Sequence, residues 1–268
     1  MERLFIIGEK LISSSARVRN ILEERDREGI LTLAEEQVDA GASAVDINAA
    51  MLMQDEEEAL VWAADTILQN YDITLSLDTP ETELLLRLGE NYGDRVILNS
   101  IQADPELLER FAAMVSRSGA GLIIMLKNRE GIPDDSGRRV ELALKAGGIL
   151  ERAGVDPRKV FFDPVVTTIG ATTRGAQVFL NTVREIGSRM PEYRTVGGLS
   201  NVSFGLPMRS ILNRTFLAMS AAAGIDALIC DPTDRNISET IRAAEALTGI
   251  DPGCRKLLKY YRIVSRDR

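Results

Sequence analysis

Short apolar, β-branched runs alternate with longer amphipathic stretches from one end of the chain to the other. The short β-branched runs predict strands at 4–8, 44–48, 73–78, 95–99, 121–126, 159–163, 195–199 and 226–230. A period near 3.6 predicts helices at 29–40, 56–70, 81–91, 105–118, 138–153, 175–189, 209–223 and 237–248. Each strand is followed by a helix, which gives the count for a (β/α)8 TIM barrel. A doubly wound open sheet shares the alternation. The near-uniform spacing and the missing Gly-x-Gly-x-x-Gly after the first strand favour the barrel.

Helix boundaries support this phase. Thr79-Pro80-Glu81 reads as an N-cap, a proline at the first helical position and an acid at the positive helix end, and Asp104-Pro105-Glu106 repeats the device. Gly41, Gly119, Gly154 and Gly224 stand where glycine ends a helix before the next strand. No linker or internal repeat interrupts the pattern, so a single domain over 1–268 is expected, with 249–268 as a basic tail helix outside the barrel.

Several strands stop on one polar residue: Asp46-Ile47-Asn48, Asp78, Asn99 and Asp163. Asn201 lies in the loop Gly198–Ser203 after the seventh strand. A barrel puts its active site at the carboxyl ends of its strands, so these residues are expected to form a ring around one mouth. Asp78 is free for that role because Thr79 is the better cap, and Asn99 because Asp104 caps the following helix. Pro164 holds Asp163 extended, although Asp-Pro also makes turns. Asp46 and Asn48 share one strand face, either as a structural network or behind a ligand. Glu9-Lys10 reads as a surface pair, and Met125, Met208 and Met219 read as core filler. Arg214 pairs with a pocket acid or faces solvent. Lys127 and Asn128 open a long loop over 127–137.

Composition narrows the chemistry. A net charge of −8 and 5% aromatic residues disfavour nucleic acid. Cys230 and Cys254 give no disulfide framework, and no apolar run reaches membrane length, so a cytoplasmic protein is expected. The chain has no histidine, which excludes a Ser-His-Asp triad and histidine-ligated zinc; no metal site is expected. Two acids and an amide converging at strand ends suit a flat heterocycle with N–H groups beside a carbonyl. A 2-amino-4-oxopteridine has that edge, and purines share part of it.

Gly8-Glu9, Asp46-Ile47-Asn48, Leu77-Asp78, Leu98-Asn99-Ser100, Gly131-Ile132-Pro133, Asp163-Pro164, Gly198-Leu199-Ser200-Asn201-Val202-Ser203 and Asn213-Arg214-Thr215-Phe216-Leu217-Ala218 follow one another in an order that resembles the pterin-binding methyltransferases. The likeness is to methyltetrahydrofolate:corrinoid/iron-sulfur protein methyltransferases, and more distantly to the folate module of methionine synthase and to dihydropteroate synthase. It spans roughly 4–248, and the Gly-Leu-Ser-Asn-Val-Ser and Asn-Arg-Thr-Phe-Leu motifs are its specific part.

The resemblance implies a dihydropteroate synthase-like TIM barrel, a homodimer, and methyl transfer between N5 of tetrahydrofolate and a corrinoid (cobalamin) carried by a partner protein. Tetrahydrofolate or 5-methyltetrahydrofolate is then substrate. Asp78, Asn99 and Asp163 would hold the pterin and Asn201 would meet N5 as the catalytic contact. Asp46, Asn48, Ser200 and Arg214 would support them. Dihydropteroate synthesis itself is disfavoured, because its Arg-x-His motif cannot exist here. The loop after the first strand, the stretch Val165 to Arg174 and Phe204–Met208 depart from the acetogenic pattern. That favours a catabolic enzyme passing methyl from a methylcorrinoid protein to tetrahydrofolate. The acetogenic reaction and a non-catalytic folate-binding or corrinoid-docking subunit are the alternatives.

Overall fold

In a computed structural model, which describes residues 3–264, the eight strands close into a parallel barrel in sequence order. The strands are β1 (Phe5–Ile12), β2 (Ala44–Asn48), β3 (Thr74–Asp78), β4 (Val96–Gln102), β5 (Gly121–Met125), β6 (Val160–Asp163), β7 (Arg194–Gly198) and β8 (Ala227–Cys230). β1 pairs with both β2 and β8, which completes the ring.

The helices are α1 (Ala16–Glu23), α2 (Arg27–Asp39), α3 (Glu56–Leu68), α4 (Thr82–Tyr92), α5 (Pro105–Ser118), α6 (Ser136–Arg152), α7 (Gly175–Arg189), α8 (Arg209–Ala223), α9 (Arg235–Leu247) and α10 (Arg255–Val264). The expected tail helix appears as α10; residues 265–268 lie outside the described residues. Asp104 caps α5 by accepting from Glu106 N at 3.1 Å, and Gly119 closes it at φ 74°.

Three expectations are corrected. The segment after Gly8 is not a loop: β1 continues to Ile12, with a register shift between Gly8 and Leu11. An additional helix, α1, follows it. Thr79 is not the cap of α4, which starts at Thr82 with Glu81 in the N-cap position; the Thr79 hydroxyl instead accepts from Glu81 N at 3.2 Å.

Alternation along each strand sorts the side chains into two cores. Val45, Ile47, Leu75, Leu77, Val96, Leu98, Leu122, Ile124, Val160 and Phe162 face the helices. Ile7, Ala44, Ile97, Ile123, Phe161, Val196 and Ala227 fill the barrel interior, with Phe5 and Ile229 against them. A fully buried phenylalanine such as Phe162 contributes on the order of 2–3 kcal/mol from apolar burial. One position tolerates no side chain on the outer face: a Cβ at Gly197 would sit 2.6 Å from the Phe179 ring.

The same parity places the next inward residues. Two positions beyond the apolar floor come Glu9, Asp46, Asn99 and Asp163, with Ser76 beside Asp46 and with Asn48 and Asp78 one step higher. The barrel therefore changes from apolar to polar at one level, towards the carboxyl ends of its strands.

Candidate active site

Register brings the polar groups together. Asp46 pairs with Ser76, Asn48 with Asp78, and Asp78 with Asn99 across adjacent strands. Asp46 is 4% exposed and accepts from the Ser76 hydroxyl and from Asn99 Nδ2 at 3.1 Å. Both bonds land on Oδ1. Burial and the charge of Asp78 push the Asp46 carboxyl up to about 8. That favours its neutral form, with Oδ2 available for the proton.

Asn48 donates through Nδ2 to Asp78 Oδ2 at 2.9 Å, while its Oδ1 accepts from the Ser13 hydroxyl at 3.2 Å and from Ala50 N at 3.2 Å. Ser13 lies just past the end of β1 and its oxygen also accepts from Met51 N at 3.1 Å. The Asp78 carboxyl is raised, chiefly by burial.

Asp163 ends β6 and accepts from Val165 N at 2.7 Å. Burial pushes it up to about 6, against that hydrogen bond and the charges of Arg139 and Lys127. Arg139 was not singled out from the sequence. It is 2% exposed on α6 and donates to Pro133 O at 2.8 Å, Pro164 O at 2.5 Å and Val165 O at 3.1 Å. It ties the loops after β5 and β6 together and fixes the turn that holds Asp163.

The motif after β7 folds as a 3-10 turn, Leu199–Ser203. Asn201 folds back over the strand end, where a Cβ at Gly198 would come within 2.8 Å of its Nδ2 and displace the amide. Asn201 is exposed at the mouth and Ser200 is half-buried. The turn is anchored to α8, because Ser203 Oγ donates to Asn213 Oδ1 at 2.6 Å and Arg209 Nη2 donates to Ser200 O at 3.0 Å. Arg214 does not join the ring. It lies exposed on α8, and the arginine that reaches the turn is Arg209, about one helical turn earlier.

Glu9 is the functional candidate that the sequence reading missed. Lys10 turns away to Glu36 at 2.8 Å and Thr233 at 3.0 Å, so the two do not pair. Glu9 instead lies half-buried in the polar layer, and burial pushes its carboxyl up to about 7. Alternation beyond Phe5 and Ile7 turns it inward, and its charged neighbour Lys10 masks that parity in the sequence. Met208 and Met219, read as core, are 68% and 43% exposed.

Asp46, Asp78 and Asp163 share one property. Each has an oxygen served by the protein and another with no protein donor among the described residues. On Asp46 the free oxygen can carry the proton, whereas Asp78 and Asp163, with Asn99 between them, call for a ligand rich in N–H groups. Among the described residues no group of three or more His, Cys, Asp or Glu is arranged to hold a metal.

Comparison with known proteins agrees with this chemistry. The sequence profile described as "Pterin binding enzyme" matches residues 12–231. A methylcorrinoid:tetrahydrofolate methyltransferase of Eubacterium limosum is 29% identical over 261 residues, covering 97% of this chain and 96% of that protein. Methionine synthase of Mycobacterium tuberculosis is 28% identical over 241 residues, which is 84% of this chain and 20% of that longer protein. Among solved structures, Coxiella burnetii dihydropteroate synthase in complex with pteroic acid has TM-score 0.69 at 18% identity, covering 94% of this chain and 95% of its own. Yersinia pestis dihydropteroate synthase with a pterine-sulfa conjugate gives 0.68 at 18% identity, covering 92% and 94%. At such identities these two structures speak for the fold alone.

Proposed function

The chain belongs to the pterin-binding enzyme family, and on that premise we propose that it transfers a methyl group from a methylated corrinoid on a partner protein to N5 of tetrahydrofolate. The observation that carries this reading is the set of half-served carboxyls. The 2-amino group and ring N–H of a pterin would complete Asp163 and Asp78, and the Asn99 amide would meet the remaining ring atoms. Binding such donors favours the charged carboxylates, so the raised acids fit an N–H-rich ligand better than an anion. The near full-length likeness to an enzyme named for the methylcorrinoid-to-tetrahydrofolate direction supports that direction.

Within this reading Asn201 sits where N5 reacts. Its amide can accept from the N–H of tetrahydrofolate and, by rotating, donate to the methylated nitrogen. No side chain acts as nucleophile, because N5 itself attacks the methyl group. Positioning and preorganised dipoles supply the acceleration. Neutral Asp46 holds Asn99 and Ser76 in place beneath the ring.

The rim supports a protein partner. Met51, Met53, Phe204 and Met208 stand 53%, 78%, 69% and 68% exposed on the loops after β2 and β7, around the mouth. Such apolar groups clustered on one face are the surface a second protein covers. We further infer a homodimer in the cytoplasm; the free thiols Cys230 and Cys254 agree with a reducing compartment. No helix among the described residues is long and apolar enough to cross a membrane.

The test is spectroscopic. Purified protein mixed with methylcobalamin and tetrahydrofolate is expected to generate the absorbance of cob(I)alamin. Tight folate binding without that change would assign the chain to a non-catalytic role instead.

A further inference from the structure

The loop after β2 is held by residues outside it. It opens as a 3-10 turn, Ala50–Asp55, whose N-cap position, Ala49, cannot cap through its side chain. The first two amides are served from elsewhere. Ala50 N donates to Asn48 Oδ1 at 3.2 Å, and Met51 N donates to the Ser13 hydroxyl at 3.1 Å. Ser13 reaches that place because β1 carries one extra residue. Paired positions advance from Gly8 to Leu11 on β1 while they advance only from Val45 to Ile47 on β2. Ile12 then pairs with Asn48, and Ser13 N donates to Asn48 O at 2.9 Å. Ser13 is fully buried. Its hydroxyl donates to Asn48 Oδ1 at 3.2 Å while it accepts from Met51 N, so one oxygen joins the two.

We propose that Ser13 is a positioning residue that joins the pterin clamp to the partner-facing loop, so that tetrahydrofolate bound at Asp78 firms Met51 and Met53 for the corrinoid protein. The inference rests on the methyl-transfer reading. Its links are consecutive hydrogen bonds: Asn48 Nδ2 to Asp78 Oδ2 at 2.9 Å, Ser13 Oγ to Asn48 Oδ1, and Met51 N to Ser13 Oγ. Asp78 keeps its other oxygen for the pterin. At the far end Met51 and Met53 stand 53% and 78% exposed. Substrate and protein surface therefore lie at the two ends of one hydrogen-bonded chain.

Each link has a direction. The N–H groups of a pterin favour the Asp78 carboxylate over the neutral form that burial promotes. An amide bonds a carboxylate more strongly than a neutral acid, so the Asn48 side chain is held harder when the pterin is present. Its Oδ1 then fixes the Ser13 hydroxyl, and the hydroxyl fixes the Met51 amide. The loop offers something to act on. Met53 stands at φ 54° and ψ −105°, a backbone that a non-glycine residue keeps only where its surroundings enforce it. A loosened Met51 amide lets that residue relax and the exposed methionines scatter. By linkage, a partner that favours the ordered loop tightens tetrahydrofolate by the same factor.

The test is residue-resolved amide hydrogen exchange by NMR on the full chain, with and without saturating tetrahydrofolate, beside calorimetric folate binding. In the wild type, tetrahydrofolate is expected to slow exchange at both Ala50 and Met51 at least about fivefold. In Ser13→Ala, Met51 should exchange at one rate with and without the ligand. Ala50, held directly by Asn48, should stay ligand-dependent, and folate affinity should fall less than about tenfold. A variant in which both amides lose their ligand dependence alike shows general loosening and overturns the proposal. Protection of Met51 that persists in Ser13→Ala comes from folate covering the loop itself and overturns it too. Should Ser13→Ala fail to fold, Asn48→Ala at saturating tetrahydrofolate should lose the ligand dependence at both amides, and its retention at Met51 overturns the proposal. A wild type that binds no tetrahydrofolate sinks the function reading together with this inference. One that binds it with Met51 unmoved sinks this inference alone.

Discussion

Asn48 donates its amide to the Asp78 carboxylate at 2.9 Å, one residue stepped against the other on neighbouring strands. The Asn48 oxygen is meanwhile held by Ser13 and by the backbone of Ala50. Orientation of the amide is therefore settled from one side, and Asp78 receives a fixed donor on one oxygen while keeping the other for a ligand. Asn48→Ala should weaken tetrahydrofolate binding by roughly tenfold, since Asp78 loses its orienting bond. Calorimetry checks this; affinity equal to wild type would mean that Asp78 is oriented by something else.

Asp78→Asn and Asp163→Asn should each lower folate affinity by at least about tenfold, because each replaces a charge-assisted acceptor with a neutral amide. Unchanged affinity in both variants would remove the pterin from this mouth.

Asn201→Ala should separate catalysis from binding. The side chain is exposed at the mouth and contributes little to the fold. Single-turnover transfer is expected to fall about a hundredfold, in the range of a lost transition-state donor, while the dissociation constant moves less than about fivefold. Equal losses in both quantities would contradict a role at N5.

Asp46 gives a stability prediction with a definite sign. Its folded value, about 8, lies above that of an unfolded aspartate, so the folded protein holds a proton that the unfolded chain releases. That contribution is complete below about pH 4 and is lost as pH rises through about 8. Asp46→Asn mimics the protonated acid and does not titrate. Its melting temperature, measured without ligand, should gain on wild type steadily from about pH 5 to about pH 8. A constant difference across that range would show that Asp46 is already ionised.

Arg139 tests the scaffold. Arg139→Met removes donors from three carbonyls, those of Pro133, Pro164 and Val165. Leaving buried carbonyls unserved should destabilise the protein by about 3 kcal/mol in urea unfolding and weaken folate binding through the Asp163 turn. Wild-type stability would show that water replaces the guanidinium without cost.

Most of the barrel was legible because short apolar, β-branched runs alternate with helical stretches and several of those runs end on polar residues. Asp46, Asn48, Asp78, Asn99 and Asp163 could be placed on one mouth for that reason alone. Features set by local irregularity were not legible. The register shift after Gly8 carries β1 on to Ile12, and nothing in the sequence marks it. Helix α1 follows a run of serines, and Ser15 makes no side-chain cap, so its start carries no marker. Arg214 belongs to a recognisable motif, yet helical geometry leaves it in solvent and brings Arg209 to the turn. Arg139 carries no mark in the sequence; only the fold puts three carbonyls around it.

The most direct measurement of the central claim uses a corrinoid protein charged with a carbon-13-labelled methyl group, mixed with this protein and tetrahydrofolate. The account predicts labelled 5-methyltetrahydrofolate appearing together with an equal amount of cob(I)alamin, at a rate that Asn201→Ala depresses. Tetrahydrofolate that binds at the mouth yet gains no label, from this donor or from free methylcobalamin, would contradict it.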